Sequence, residues 1–364
     1  MKQTPQQALC RWFERNARDL PWRRLPTPYR VWVSEIMLQQ TRVEAVRDKY
    51  VAFLKRFPTA RALASAPIEQ VLQAWSGLGY YRRARMLHAA ARQVADGHGG
   101  RVPRDRAALL ALPGIGRYTA GAILSIAFKQ VEPIVDGNIE RVFARMHHIA
   151  QPKQSTKVWK LAELWVREGA QQGLAPANLN QSLMELGATV CTPRNPRCYA
   201  CPCAAKCAAF KAGSVARYPA TALRKKKQRL RYLVLAVGDG AGRVLMQRRD
   251  QGDNSSVLPA GLWELPHAAW GEDQPQPRVG ALSGNVEIVG EPVIVRHSIM
   301  DFDVQLAVQA AVVVGKVRGK WFTPQAAENA AIASATRKAL VTYRRLSALQ
   351  RGPTILPGPK RRHR

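Results

Sequence analysis

The hydrophobic pattern of this 364-residue chain changes character once, shortly before residue 230. From residue 6 to about 190 the apolar side chains recur at helical spacing, as in Val43, Val46, Val51 and Leu54, or Ala89 and Val94. Pro21, Pro26, Pro58, Pro67, Gly97, Gly99, Pro103, Pro133 and Pro176 punctuate these stretches, and β-branched alternation is scarce. From Leu230 the texture is that of strands. Leu233, Val234, Leu235 and Val237 lead into the turn Gly238-Asp239-Gly240, and Val244 to Met246 follows. Val286 to Val295 and Val304 to Val317 continue in that style, and Trp321 to Leu346 holds one more helix. The pattern predicts a mainly α domain over residues 1–210, a basic linker over 211–229 and a smaller α+β domain over 230–350. Residues 351–364, rich in Pro and basic side chains, are expected to be disordered.

Lys and Arg number 56 against 25 Asp and Glu, a net charge of +31. Such a surplus suggests a polyanionic partner, nucleic acid first and an anionic membrane surface second. A basic tail alone is a weaker account, because the excess is spread along the chain. It recurs at Arg82, Arg83 and Arg85, at Arg101, Arg104 and Arg106, at Arg224 to Lys227 and at Lys360 to Arg364. The run at Arg224 to Arg229 reads most simply as a solvated charge run. No apolar run approaches the ~20 residues that span a bilayer. Met1 to Arg11 lacks the apolar core of a signal peptide. The expectation is a cytoplasmic, nucleoid-associated monomer with no membrane partner.

Cys191, Cys198, Cys201 and Cys207 form one tight array, C-x6-C-x2-C-x5-C, outside which lie only Cys10 and Cys203. Structural disulfides are rare in reducing compartments, so the array reads as a metal site. Thiolates repel one another and stay together where a cation neutralises them, so zinc and iron are both open. Cys198 and Cys201 alone would suit a zinc knuckle. Cys10 and Cys203 read as free thiols.

Residues 112–116, Leu-Pro-Gly-Ile-Gly, join two helical patterns, with a helix starting near Arg117. Free amides and the positive end of a helix dipole can hold a phosphate without reading a base, which makes Gly114, Gly116 and Arg117 candidate backbone contacts. An ordinary helix–helix turn explains the same pattern. Twenty residues on, Asp136 precedes a helix and is either an N-cap or a functional acid. Glu35 lies in an apolar stretch, Val33-Ser34-Glu35-Ile36-Met37-Leu38. Burial there would raise its pKa, whereas a surface-facing Glu would stay ordinary. One protonated and one ionised carboxyl is the division of labour that breaks glycosidic bonds.

LPGIGRYTA (residues 112–120) and VDGNIERV (residues 135–142), followed by the cysteine array, resemble the helix-hairpin-helix DNA glycosylase superfamily with an iron–sulfur cluster. Within it, SEIMLQQTRV, GLGYYRRAR and the tyrosine at position 118 look like the MutY-type adenine DNA glycosylases. The match covers about residues 6 to 210. The resemblance implies excision of adenine mispaired with 8-oxoguanine or guanine in double-stranded DNA, as a step of base-excision repair. It implies that Glu35 protonates adenine, that Asp136 stabilises the oxocarbenium-like sugar, and that Tyr118 and Asn138 support them. Leu38, Gln39 and Gln40 fall where the family inserts side chains into the duplex, and Tyr80 where it wedges a ring beside 8-oxoguanine. Ordinary packing is the other account of Tyr80 and Tyr81. Endonuclease III-like relatives hold a lysine where this chain has Tyr118, and a phenol forms no Schiff base. Base removal by water is therefore expected, against a bifunctional glycosylase and abasic-site lyase or a non-catalytic DNA-binding module. For the cysteines the resemblance and the long first gap favour one 4Fe–4S cluster. The cluster would hold a loop bearing Arg194, Arg197 and Lys206 against DNA, and repair proteins are possible partners.

Val244 to Arg249 and Gly261 to Pro266 look like the Nudix-related C-terminal domain of this family, implied to read 8-oxoguanine. No acidic box follows, since Ala268 to Gln276 holds only Glu272 and Asp273, so magnesium-dependent hydrolysis is not expected. The family's Phe-Ser-His loop is replaced by Ile299-Met300-Asp301. Preference for 8-oxoguanine over guanine is then weaker, or carried by His297, Ser298 or another loop.

Overall fold

The computed structural model describes residues 3–153, 155–220, 227–250, 256–271, 279, 282, 284–299 and 301–350, the last five without their side chains. The expectations placed on Arg224, Glu272, Asp273, Met300 and the tail from residue 351 lie outside the described residues. The chain divides into two compact units, Met1–Leu223 and Arg224–Arg364.

The first unit is helical, and local chemistry sets its helix starts. Thr4 and Gln7 form a reciprocal capping box ahead of Pro5–Asn16, and Thr27 caps Pro28–Leu38 with Pro28 at the first position. Asp105 caps Arg106–Leu110 and Asp136 caps Gly137–Met146. The helix Arg117–Ala122 continues as one turn of π-helix, Ile123–Ala127. Trp32, Trp75, Phe53, Leu63 and Leu87 are among the largest fully buried side chains. A second cluster gathers Leu9, Ile134, Phe143, Trp165, Leu179 and Leu186, with Cys191, Cys201 and Cys207 packed on its edge. Glu185, with no exposed surface, binds Arg18 and Arg23 at 2.7 Å each. Burial pushes its carboxyl up, but the two guanidiniums prevail and hold it below the ordinary range. Removing either arginine would leave a buried charge underpaired, the more costly error.

The second unit is a mixed sheet of β1 (Gln228–Gly238), β2 (Val244–Arg248), β3 (Trp263–Glu264), β4 (His267–Ala269), β5 (Val286–Ile299), β6 (Phe302–Val313) and β7 (Lys320–Phe322). The order is β3-β2-β1-β6-β5, with β4 on β1 and β7 on β2. β1 and β6 run parallel, Leu233 opposite Ala307, while β5 pairs antiparallel with β6 through an irregularity between Val289 and Val293. Alternate residues of β1 enter different cores. Tyr232, Val234 and Ala236 meet Ala335, Ala339 and Leu340 of the helix Ser334–Gln350. Leu233, Leu235 and Val237 pack with Leu245, Leu282 and Ala311. Burial on both faces is why the β1 sequence is continuously apolar rather than alternating.

Candidate active site and cysteine loop

Glu35 sits on the helix Pro28–Leu38 among buried neighbours and is itself only 4% exposed. The hairpin helix brings Tyr118, 83 residues away in sequence, so that its phenol donates to Glu35 Oε2 at 2.6 Å. Burial lifts the Glu35 carboxyl to about 7, opposed by the Tyr118 hydrogen bond and reinforced by the charge of Asp136. The Tyr118 phenol is pushed up by burial and by both carboxyls, so it remains a neutral donor.

Asp136 is an N-cap and more. Its Oδ1 accepts from the amides of Asn138 (3.0 Å) and Ile139 (2.8 Å), and its Oδ2 from Asn138 Nδ2 at 2.8 Å. Burial raises its carboxyl, against these three donors and the Arg141 charge, which favour the anion. The anion of Glu35 has one such hydrogen bond, from the phenol. Burial thus raises both carboxyls, but three hydrogen bonds favour the anion at Asp136 against one at Glu35.

The network continues outward. Arg141 donates to Asn138 Oδ1 (2.8 Å), to Gly187 O (2.7 Å) and to Cys191 O (2.7 Å). Gly187 has to be glycine, because a Cβ there would lie 2.6 Å from Asn138 Cβ. Gly121 likewise allows the hairpin helix to touch the segment before Asp136, since its Cβ would meet Pro133 O at 2.4 Å. Arg141, Gly121 and Gly187 escaped the sequence reading because each acts on residues distant in sequence. Arg141, one helical turn after Asn138, carried a local hint.

In the hairpin, only Gly114 needs glycine's left-handed freedom, at φ +80°. Gly116 has φ −98° and ψ −178°, ordinary extended backbone, and open space where its Cβ would be. Gly116 and Arg117 are exposed, with the Arg117 guanidinium lying 3.8 Å above the Trp159 ring. Leu38, Gln39 and exposed Gln40 end the Glu35 helix, and Tyr80 is 41% exposed.

Cys191, Cys198, Cys201 and Cys207 are half-buried free thiols, near enough that each of the other three raises Cys198 electrostatically, after burial itself. Among the described residues no three His, Cys, Asp or Glu side chains converge on a single ion. Four neighbouring thiols are a donor set whose thiolates a metal group would have to neutralise. Arg145, only 3% exposed, donates to Cys191 Sγ at 3.2 Å and to the carbonyls of Thr192 (2.8 Å), Pro193 (3.2 Å) and Tyr218 (2.9 Å). Its acceptors are a thiol and three carbonyls, so a negatively charged thiolate assembly would balance its buried charge.

In the second unit His297 and Ser298 line a cavity of about 440 Å³ with Arg229, Arg296, Asp303, Val304 and Gln305. The Ser298 hydroxyl is held by Lys227 Nζ (2.9 Å) and Asp303. Burial, then the charge of Lys338, lowers the His297 imidazole.

Residues 33–168 match the HhH-GPD superfamily of base excision DNA repair proteins, and residues 233–342 the NUDIX domain. An adenine DNA glycosylase of Mycolicibacterium smegmatis is 44% identical over 214 residues, covering 57% of this chain and 72% of the relative. The chain belongs to the adenine DNA glycosylase family. Its relative from Mus musculus, an adenine DNA glycosylase, is 47% identical over 215 residues, 56% of this chain. The chain spans about two fifths (41%) of that mouse protein. A thermostable thymine-DNA glycosylase structure superposes on 57% of this chain and 95% of its own, with TM-score 0.52 and 30% identity. Both parts of the fold thus agree with the adenine DNA glycosylase reading. Among the described residues no helix is long and apolar enough to cross a membrane.

Proposed function

We propose that this chain removes adenine from double-stranded DNA where it is mispaired with 8-oxoguanine or guanine, hydrolysing the N-glycosidic bond as a step of base-excision repair. The observation that carries the reading is a buried Glu35, lifted to about 7 and bonded by Tyr118, near enough to the hydrogen-bonded Asp136 to feel its charge. The adenine nucleotide would leave the base stack to reach them. Glu35 gives its proton to a ring nitrogen of the adenine, so that the base departs neutral with the electrons of the glycosidic bond. Asp136 faces the cationic sugar, and Asn138 holds its carboxylate in register. Water adds to the sugar, and the proton it sheds can restore Glu35. The products are free adenine and an abasic site. Tyr118 supplies no amine, so the sugar is not trapped as a Schiff base. The hairpin at Gly114, Gly116 and Arg117 would hold a phosphate of the same strand.

Cys191, Cys198, Cys201 and Cys207 would hold one 4Fe–4S cluster. When bound, it supplies a structural cross-link of the loop bearing Arg194, Arg197 and Lys206. Arg141 and Arg145 tie that loop to the helix of Asp136. Replacing Cys198 with Ser is expected to remove the broad visible absorbance of the purified protein. It should also lower DNA affinity at least tenfold, measured by titration of a labelled duplex.

The function is tested on one duplex carrying A opposite 8-oxoguanine, divided before electrophoresis into an alkali-treated and an untreated half. Breakage after alkali alone is the expected result. Breaks in both halves would identify a lyase. A duplex bound but unbroken in both halves would identify a binding module.

A further inference from the structure

Arg83 is a buried cation that the chemistry above leaves unused. One Nη donates to Ile36 O (2.7 Å), Met37 O (2.9 Å) and Gln39 O, three carbonyls at the end of the Glu35 helix. The other donates to Thr41 Oγ1 (2.9 Å), Leu78 O (3.2 Å) and Gly79 O (3.3 Å). The guanidinium lies against two rings, 5.5 Å from the centre of Trp75 and 5.3 Å from that of Tyr80. All these acceptors are neutral. Burial lowers Arg83 to about 10, which leaves it charged at neutral pH.

The fork therefore grips two separate loops. The first, Gln39 to Thr41, presents Gln40. The second, Gly77 to Tyr80, presents Tyr80. Each contains a residue with a side chain in the left-handed region, Gln40 at φ 54° and Tyr80 at φ 47°. Such conformations cost roughly 1–3 kcal/mol each and persist where the surroundings over-determine them. Thr41 adds a second tie, its hydroxyl lying 3.2 Å from Gln39 O and 3.3 Å from Leu78 O. A helix end with unsatisfied carbonyls is thus capped by a side chain that also fastens the neighbouring loop.

We infer that Arg83 is a positioning residue that locks the Gln40 loop to the Tyr80 loop, so that the two side chains engage a mispair as one rigid unit. This rests on the reading that both loops meet mispaired DNA. A lysine at this position keeps the charge but lacks the planar fork that reaches both loops.

The test is the equilibrium affinity for a duplex carrying an uncleavable 2′-fluoro-adenosine opposite 8-oxoguanine, with a fully paired duplex as reference. In the otherwise unaltered chain, Gln40→Ala and Tyr80→Ala should be non-additive by at least fivefold, as expected of coupled sites. In Arg83→Lys the same two changes should become additive within twofold. Thr41→Val replaces the hydroxyl with a methyl group and so removes its bonds to Arg83, Gln39 and Leu78; it should reduce the coupling as well, which carries the test if Arg83→Lys folds poorly. A merely structural Arg83 would lower the active fraction and leave the coupling intact. Coupling that survives both variants, or is absent from the unaltered chain, overturns the clamp alone. An unaltered chain that binds mispaired and paired duplexes equally overturns the functional reading, and the clamp with it.

Discussion

Glu35→Gln is expected to abolish adenine release while leaving duplex binding within a few fold of the unaltered protein. A positioned general acid contributes typically ~10²–10⁴ in rate, and no other described acid shares the Tyr118 hydrogen bond. The glutamine amide can still accept that bond, so geometry survives and only the proton is lost. Single-turnover release at saturating enzyme is the measurement. Persistence of more than a tenth of the original rate would remove Glu35 from the mechanism. The pH dependence has a definite sign. A carboxyl lifted to about 7 is neutral and holds its proton below that pH, and loses it to become an anion above. The rate limb due to Glu35 should therefore fall as pH rises through about 7, and Glu35→Gln should lack that limb.

The same group makes a stability prediction. The folded carboxyl titrates at about 7 against an ordinary 4.5, so between those values the folded chain binds the extra proton. Ionising it in place costs on the order of 3 kcal/mol, a penalty absent below 4.5, growing through the window and complete above about 7. Glu35→Gln should accordingly gain stability relative to the unaltered protein at pH 8 and not at pH 4.5, read as unfolding midpoints at the two pH values. The residue proposed to give the proton is thus one that the fold tolerates at a cost.

Asp136→Asn is the second large effect. If Asp136 stabilises the sugar as proposed, removing its carboxylate should lower single-turnover release by ~10²–10³ or more, the range for a lost electrostatic contact in a dry site. Asn is itself a good N-cap, so the helix Gly137–Met146 should keep its start and the fold should lose no more than about 1 kcal/mol. Duplex affinity should be nearly unchanged. A variant that loses binding and stability together, with release reduced only in proportion, would return Asp136 to a purely capping role.

Much of the architecture lies open in the residue pattern because helix and strand obey local periods. The shift near residue 230, the caps at Thr27 and Asp136 and the cysteine spacing need only neighbours within a few positions. β1 is less legible, since its run from Tyr232 to Val237 is apolar on both faces. Its parallel pairing with β6 joins residues more than seventy positions apart. The two uses of Asp136, as cap and as acid, cannot be separated in sequence because both place a carboxylate at a helix start.

The chain's own sequence determined which side chains are available: two acids in apolar or capping contexts, a tyrosine where a lysine would make a Schiff base, and four spaced thiols. Tertiary structure alone decided their chemical state. A carboxyl's pKa follows from how much water its surroundings remove and which donors reach it. For Glu35 those surroundings include a phenol 83 residues away. The links from Asp136 through Asn138 and Arg141 to Cys191, and from Arg83 to two loops, depend likewise on packing that brings distant segments within hydrogen-bond range. Periodicity encodes which face is buried, but not which distant donor the buried face will meet.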